Sequence, residues 1–116
     1  MNYTALKVGE NEYKLRLDTK NTGMLEKAVG TNPVNEIMKM VDMQLPSVTF
    51  VAQCLNASLQ KYHHGINLDK VYGIMDDYYE REGKTIMDFI PVLMEVFQVA
   101  GLLPKNTEAT DELDPK

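Results

Sequence analysis

Cysteine is nearly absent from this chain: Cys54 is the single one among 116 residues. An internal disulfide framework and a cysteine-based zinc site are therefore excluded, and a reducing compartment such as the cytosol is the expected setting. Glycine and proline are scarce as well, 7 and 5 residues, beside a hydrophobic fraction of 44% and a charged fraction of 25%. That balance excludes a collagen-like or low-complexity chain and leaves enough apolar material for a packed core. Long hydrophobic runs are missing. The longest, residues 89 to 94, falls far short of the roughly 20 that span a bilayer. Residues 1 to 6 hold no basic start leading into an apolar stretch, so neither a signal peptide nor a membrane partner is expected. Two matches to the glycosylation acceptor, Asn2-Tyr3-Thr4 and Asn56-Ala57-Ser58, then read as chance.

An excess of cations is also lacking. Net charge is -5 with a pI near 4.9. Residues 1 to 60 carry 6 basic and 6 acidic side chains, residues 61 to 104 carry 4 and 7, and residues 105 to 116 carry 2 and 4. No segment supplies the basic face that phosphate backbones select, so nucleic acid is excluded as a partner and a protein or peptide is expected.

What is present reads as one domain, residues 1 to 103, followed by a tail, 104 to 116, whose Asn, Thr, Asp, Glu and Pro content predicts disorder. Residues 3 to 8 and 12 to 17 have strand character around the turn cluster Gly9-Glu10-Asn11, a hairpin signal with Leu6, Val8, Tyr13, Leu15 and Leu17 on one face. Five helical segments follow. The first, 19 to 29, places Met24, Leu25, Ala28 and Val29 on one side and stops at Gly30. The second opens with Asn32 and Pro33, turns Ile37, Met40 and Val41 inward and stops at Pro46. The third starts near Ser47, carries Val48, Val51, Leu55 and Leu59 inward and ends around His63-His64-Gly65. The fourth runs from Asn67 to about Glu82 and closes at Gly83. The fifth begins at Thr85, with Asp88 completing a capping-box-like pair, and ends at Gly101. No repeat relates these segments. The expected fold is α+β and mainly helical, an N-terminal β-hairpin packed on a bundle of about five helices.

Chemistry-bearing clusters are thin. His63-His64 is adjacent, whereas helical zinc ligands lie one turn apart, so contact with the last free carbonyls of a helix is the simpler role. Asp76, Asp77, Glu80 and Glu82 form an acidic cluster, of which Asp76, Asp77 and Glu80 could serve an acidic hydrolase, but the cluster reads as a solvated helical face softened by Arg81 and Lys84. Cys54 reads as a buried inert thiol. No nucleophile elbow, phosphate-cradling loop or dinucleotide fingerprint occurs. No catalytic residue, metal or cofactor is expected.

Apolar surface is what remains. Met24, Met38, Met40, Met43, Met75, Met87 and Met94 exceed the needs of a small core, and flexible thioethers suit surfaces that accept varied apolar partners. The fifth helix is apolar nearly all round, with Asp88, Glu95 and Gln98 as its only polar positions after Thr85. Either it is packed on all sides or one side is left for a partner. Pro91, inside it, predicts a bend near residues 87 to 91. Met87, Phe89, Leu93, Met94 and Phe97 are the candidate partner-binding residues. Phe89, Leu93 and Phe97 share a side and can instead form the core stripe, which leaves Met87 and Met94.

The run Ala57-Ser58-Leu59-Gln60-Lys61-Tyr62-His63-His64-Gly65-Ile66, then Leu68-Asp69, Val71-Tyr72, Phe89-Ile90-Pro91-Val92 and Glu95-Val96-Phe97-Gln98-Val99-Ala100-Gly101, resembles the tail assembly chaperones of long-tailed phages and prophages of Gram-positive bacteria. Tyr13-Lys14-Leu15-Arg16-Leu17, Leu25-Glu26-Lys27-Ala28-Val29-Gly30 and Asn32-Pro33 add to the likeness, which covers roughly residues 12 to 103. The resemblance implies a non-enzymatic protein of the bacterial host cytoplasm, absent from the mature virion. Such a protein coats the apolar helical tape measure protein and helps gather tail tube subunits. It could also form a homo-oligomer. No site residues transfer from the resemblance. The composition equally suits a small phage-encoded regulator or inhibitor that binds one folded host protein.

Overall fold

Turn chemistry sets the first element. In the computed structural model, which describes residues 2 to 104, β1 (Thr4–Val8) pairs antiparallel with β2 (Asn11–Leu15), Val8 opposite Asn11 and Thr4 opposite Leu15. Gly9 alone in the two-residue loop has positive φ, 62°, the pattern of a type II′ turn that suits the strand twist. The second strand ends at Leu15 and not at residue 17. Past Leu15 there is no partner on β1, and the Arg16 N–H turns instead to the Ser58 carbonyl at 2.8 Å.

Caps then punctuate the chain. α1 (Thr19–Val29) starts where the Asp18 carboxylate accepts the Asn21 N–H and stops at left-handed Gly30. α2 (Pro33–Val41) has Asn32 as cap and Pro33 in its first turn. It ends earlier than the expected stop at Pro46. Met43 takes φ 73°, its N–H reaching the Met40 carbonyl while the Gln44 N–H reaches that of Lys39, the bond pair of a Schellman motif with methionine where glycine is usual. α3 (Val48–Leu59) is capped by Ser47, and α4 (Leu68–Glu82) runs from Asn67 to left-handed Gly83. The fifth segment is not one continuous helix. A single 3-10 turn, Ile86–Asp88, precedes α5 (Phe89–Val99), and the Asp88 carboxylate accepts the Thr85 N–H at 2.8 Å. Pro91 is therefore the third residue of α5, in the first turn, where a missing N–H costs no α-helical bond.

Eight of the twelve residues of α3 are buried, and it touches β2, α1, α4 and α5. It is the centre of the domain. β1 lays Leu6 and Val8 against α4 and α5. On α5, Phe89, Leu93, Val96 and Phe97 form a buried stripe at helical spacing. Ile90, Val92 and Met94 are half-buried against the same core, so this helix is the enclosed kind. Phe89 stacks on Tyr78 of α4, ring centroids 4.5 Å apart. The hairpin-plus-five-helix α+β fold is as expected. Residues 105 to 116, most of the expected disordered tail, lie outside the described residues.

Candidate peptide-binding groove

Enclosure of α5 decides the fate of its candidate residues. Phe89, Leu93 and Phe97 are wholly buried and belong to the core, not to a free surface. Met94 is half-buried against that core and Met87 is exposed. The apolar surface that does face water lies elsewhere.

Three adjoining depressions, of about 300, 330 and 400 Å³, run between α1 and α3. The first two share Ala28 and Gln53, and the second and third share Asn21, Met24 and Gln60. Together they make one groove along α3, whose 12 residues measure about 18 Å. Leu25, Ala28, Ala57 and Leu68 supply apolar walls, Asn21, Gln53, Asn56 and Asn67 supply carboxamides, and Met24, 54% exposed, stands over them. Gln60 holds the groove's shape: its Nε2 donates to the Asn56 carbonyl at 3.0 Å and to that of Ile66 at 2.8 Å, tying α3 to the start of α4.

The chain matches no protein-family model, and no curated protein or solved structure is significantly similar to it.

A crest of exposed apolar side chains runs from α2 into the start of α3, in the same stretch of chain as the groove-lining Glu36 and Ser47. Met38 and Val41 on α2, Met43 and Leu45 in the connection and Val48 at the start of α3 are all exposed, Met43 by 84% and Leu45 by 78%. Sequence periodicity had Met24, Ala28, Val41 and Val48 facing inward; all four are exposed. The reason is rotational. α1 buries Asn21 and Leu25 and α2 buries Pro33, Ile37 and Met40, which turns their neighbours outward by about 100° per residue. The signal was legible in α2, since Val34, Met38 and Val41 form a second apolar stripe beside the buried one.

The titratable clusters have structural partners. The His63 backbone N–H donates to the Leu59 carbonyl at the end of α3 at 2.8 Å, but its imidazole turns to the hairpin: its Nε2 accepts the Lys14 N–H at 2.9 Å and its ring lies edge-on to Tyr13. Burial, followed by the nearby Lys14 charge, lowers its pKa, so the neutral, accepting form is favoured. Asp76, Asp77 and Glu80 are exposed. Glu82 is half-buried, and its carboxylate accepts the Gly9 N–H at 2.7 Å, pinning the hairpin turn to α4. Burial pushes the Cys54 thiol up, away from the thiolate. Among the described residues no three His, Cys, Asp or Glu side chains are grouped to hold a metal, and no helix is long and apolar enough to cross a membrane.

Proposed function

We propose that this chain is a non-enzymatic assembly chaperone of the phage-tail type. In the cytoplasm of the bacterial host it holds apolar helical segments of a tape measure protein, helps recruit tail tube subunits, and is then left out of the virion. One observation carries the reading: a groove along α1 and α3 whose middle stretch has apolar walls and no charged residue, in a molecule that also exposes methionine, valine and leucine side chains from α2 to the start of α3. A groove of this kind accepts an amphipathic helix with anchors one turn apart. Methionines at its rim adapt to segments of different shape, which a client with a long, varied sequence requires. Met24 and Ala28 in the groove and Met38, Met43 and Leu45 on the crest are the contact residues. Of the candidates on α5 and the 3-10 turn before it, Met87, in that turn, is the one with open surface.

Co-expression with the tape measure protein encoded beside this chain tests the reading. Wild-type protein should keep that client in the soluble fraction and co-purify with it, while Met24→Glu and Ala28→Glu should release it without lowering the thermal midpoint. A client that precipitates equally with and without the wild-type chain would sink the chaperone reading in favour of a regulator of one folded protein.

A further inference from the structure

On the reading that the groove holds a helix, we infer that it holds it in one direction, with the bound helix's C-terminus at Lys20 and Lys61 and its N-terminus at Glu36, and that it selects segments without charge across the middle turns. The groove's charges sit only at its ends. Lys20, Lys61 and Asp18 line the end where α1 begins and α3 finishes, and Glu36 lines the opposite end. The middle depression has no charged residue in its walls.

Two electrostatic consequences follow. A helix carries roughly half a positive charge at its N-terminus and half a negative charge at its C-terminus. Because α1 and α3 run antiparallel along the groove, their own dipoles oppose each other, and the end-lining side chains set the local field. At the basic end Asp18 is engaged with the Asn21 N–H, and neither lysine forms an ion pair among the described residues. Lys61 Nζ also lies 5.9 Å from the Tyr62 ring centre; two lysines against one carboxylate leave this end with a net positive charge that favours the carbonyl end of an incoming helix. At the other end Glu36 shares its charge with Lys39 at 3.2 Å, so the lysines contribute the larger part of the preference. In the middle, a charged side chain pressed against Leu25, Ala57 and neutral carboxamides would lose water and gain no counter-ion.

The test uses the full-length, nitrogen-15-labelled chain and an uncharged stapled helix of Leu, Ala, Ser and Gln with both ends blocked, carrying a nitroxide at either its C- or its N-terminus. The C-terminal label should broaden the amides of Gln60 and Lys61, and the N-terminal label those of Thr31 and Thr49. The triple variant Lys20→Glu, Lys61→Glu, Glu36→Lys should exchange the two patterns, and one glutamate at the centre of the peptide should weaken binding about ten-fold or more. Equal broadening at both ends by either label, or a pattern unmoved by the triple variant, overturns the directional assignment while leaving helix binding intact. An unchanged affinity for the glutamate peptide overturns the selection for uncharged segments. If no groove amide shifts with the unlabelled peptide, helix binding itself fails.

Discussion

The imidazole of His63 accepts the backbone N–H of Lys14 at 2.9 Å, and two residues further along the chain, just past the end of β2, the Arg16 N–H meets the carbonyl of Ser58 at 2.8 Å. The outer edge of the two-stranded sheet is thereby covered by the end of α3 and the turn after it. An uncovered strand edge offers its N–H groups to other chains, a particular hazard for a protein proposed to handle an aggregation-prone client.

That bond makes stability depend on pH. His63 has its pKa lowered in the folded protein from the ordinary 6.5, so its contribution is complete above about pH 6.5 and is lost as pH falls from there through the lower pKa of the folded protein, because the unfolded chain binds the proton first. The thermal midpoint of the wild type should drop between pH 7.5 and 5.5 by more than that of His63→Gln. Parallel curves for the two proteins would show that His63 is not the titrating group.

Met43 is the one non-glycine residue with positive φ among those described, and its side chain is 84% exposed. A left-handed conformation costs an ordinary residue about 1 kcal/mol and glycine almost nothing. Met43→Gly should raise stability to denaturant by up to about 1 kcal/mol and, on the proposed chaperone reading, weaken client binding through loss of an exposed thioether. A less stable variant, or one that binds the client as well as the wild type, would contradict this account.

On α5 and the 3-10 turn before it, the two kinds of candidate residue should separate cleanly. Phe97→Ala should cost about 3 to 5 kcal/mol and Leu93→Ala about 2 to 5, from lost burial and the cavity left behind. Met87→Ser should stay within about 0.5 kcal/mol. Urea titration of the three variants measures all of these values, and a large loss at Met87 would place it in the core.

The hairpin turn depends on a contact across the whole chain, the Glu82 carboxylate on the Gly9 N–H. Glu82→Ala should lose about 1.5 to 3 kcal/mol, the range for hydrogen bonds to a charged group, and hydrogen exchange should quicken at Gly9 before it does in α3. Glu82→Gln keeps an acceptor and should lose less. Equal losses in both variants would mean that charge, and not the hydrogen bond, holds the turn.

Local chemistry was legible from the residues themselves. Asp18, Asn32, Ser47 and Asn67 each carry a side-chain oxygen that meets a free N–H in the first turn of a helix, and Gly30 and Gly83 adopt the left-handed stop that glycine permits. Such bonds span two or three residues, so spacing alone reveals them. The end of α2 escaped because methionine occupies the position that glycine usually signals. The 3-10 turn at Ile86–Asp88 escaped because it shares apolar residues and caps with an α-helix.

The sequence by itself determined the α+β class, the hairpin, the order of five helices and most of their boundaries, since turns, caps and periodicity act over a few residues. Only the tertiary structure decided which apolar faces are covered. α5 is apolar almost all round and is nevertheless packed into the core by β1, α2 and α3, while the shorter α2 and the connection after it keep Met38, Val41, Met43 and Leu45 in water. Burial depends on what other segments bring to a face, and in a chain this small few segments are available to cover it. The groove has the same origin: each of its walls is legible as a helix, but its existence depends on the distance and rotation at which α1 settles on α3.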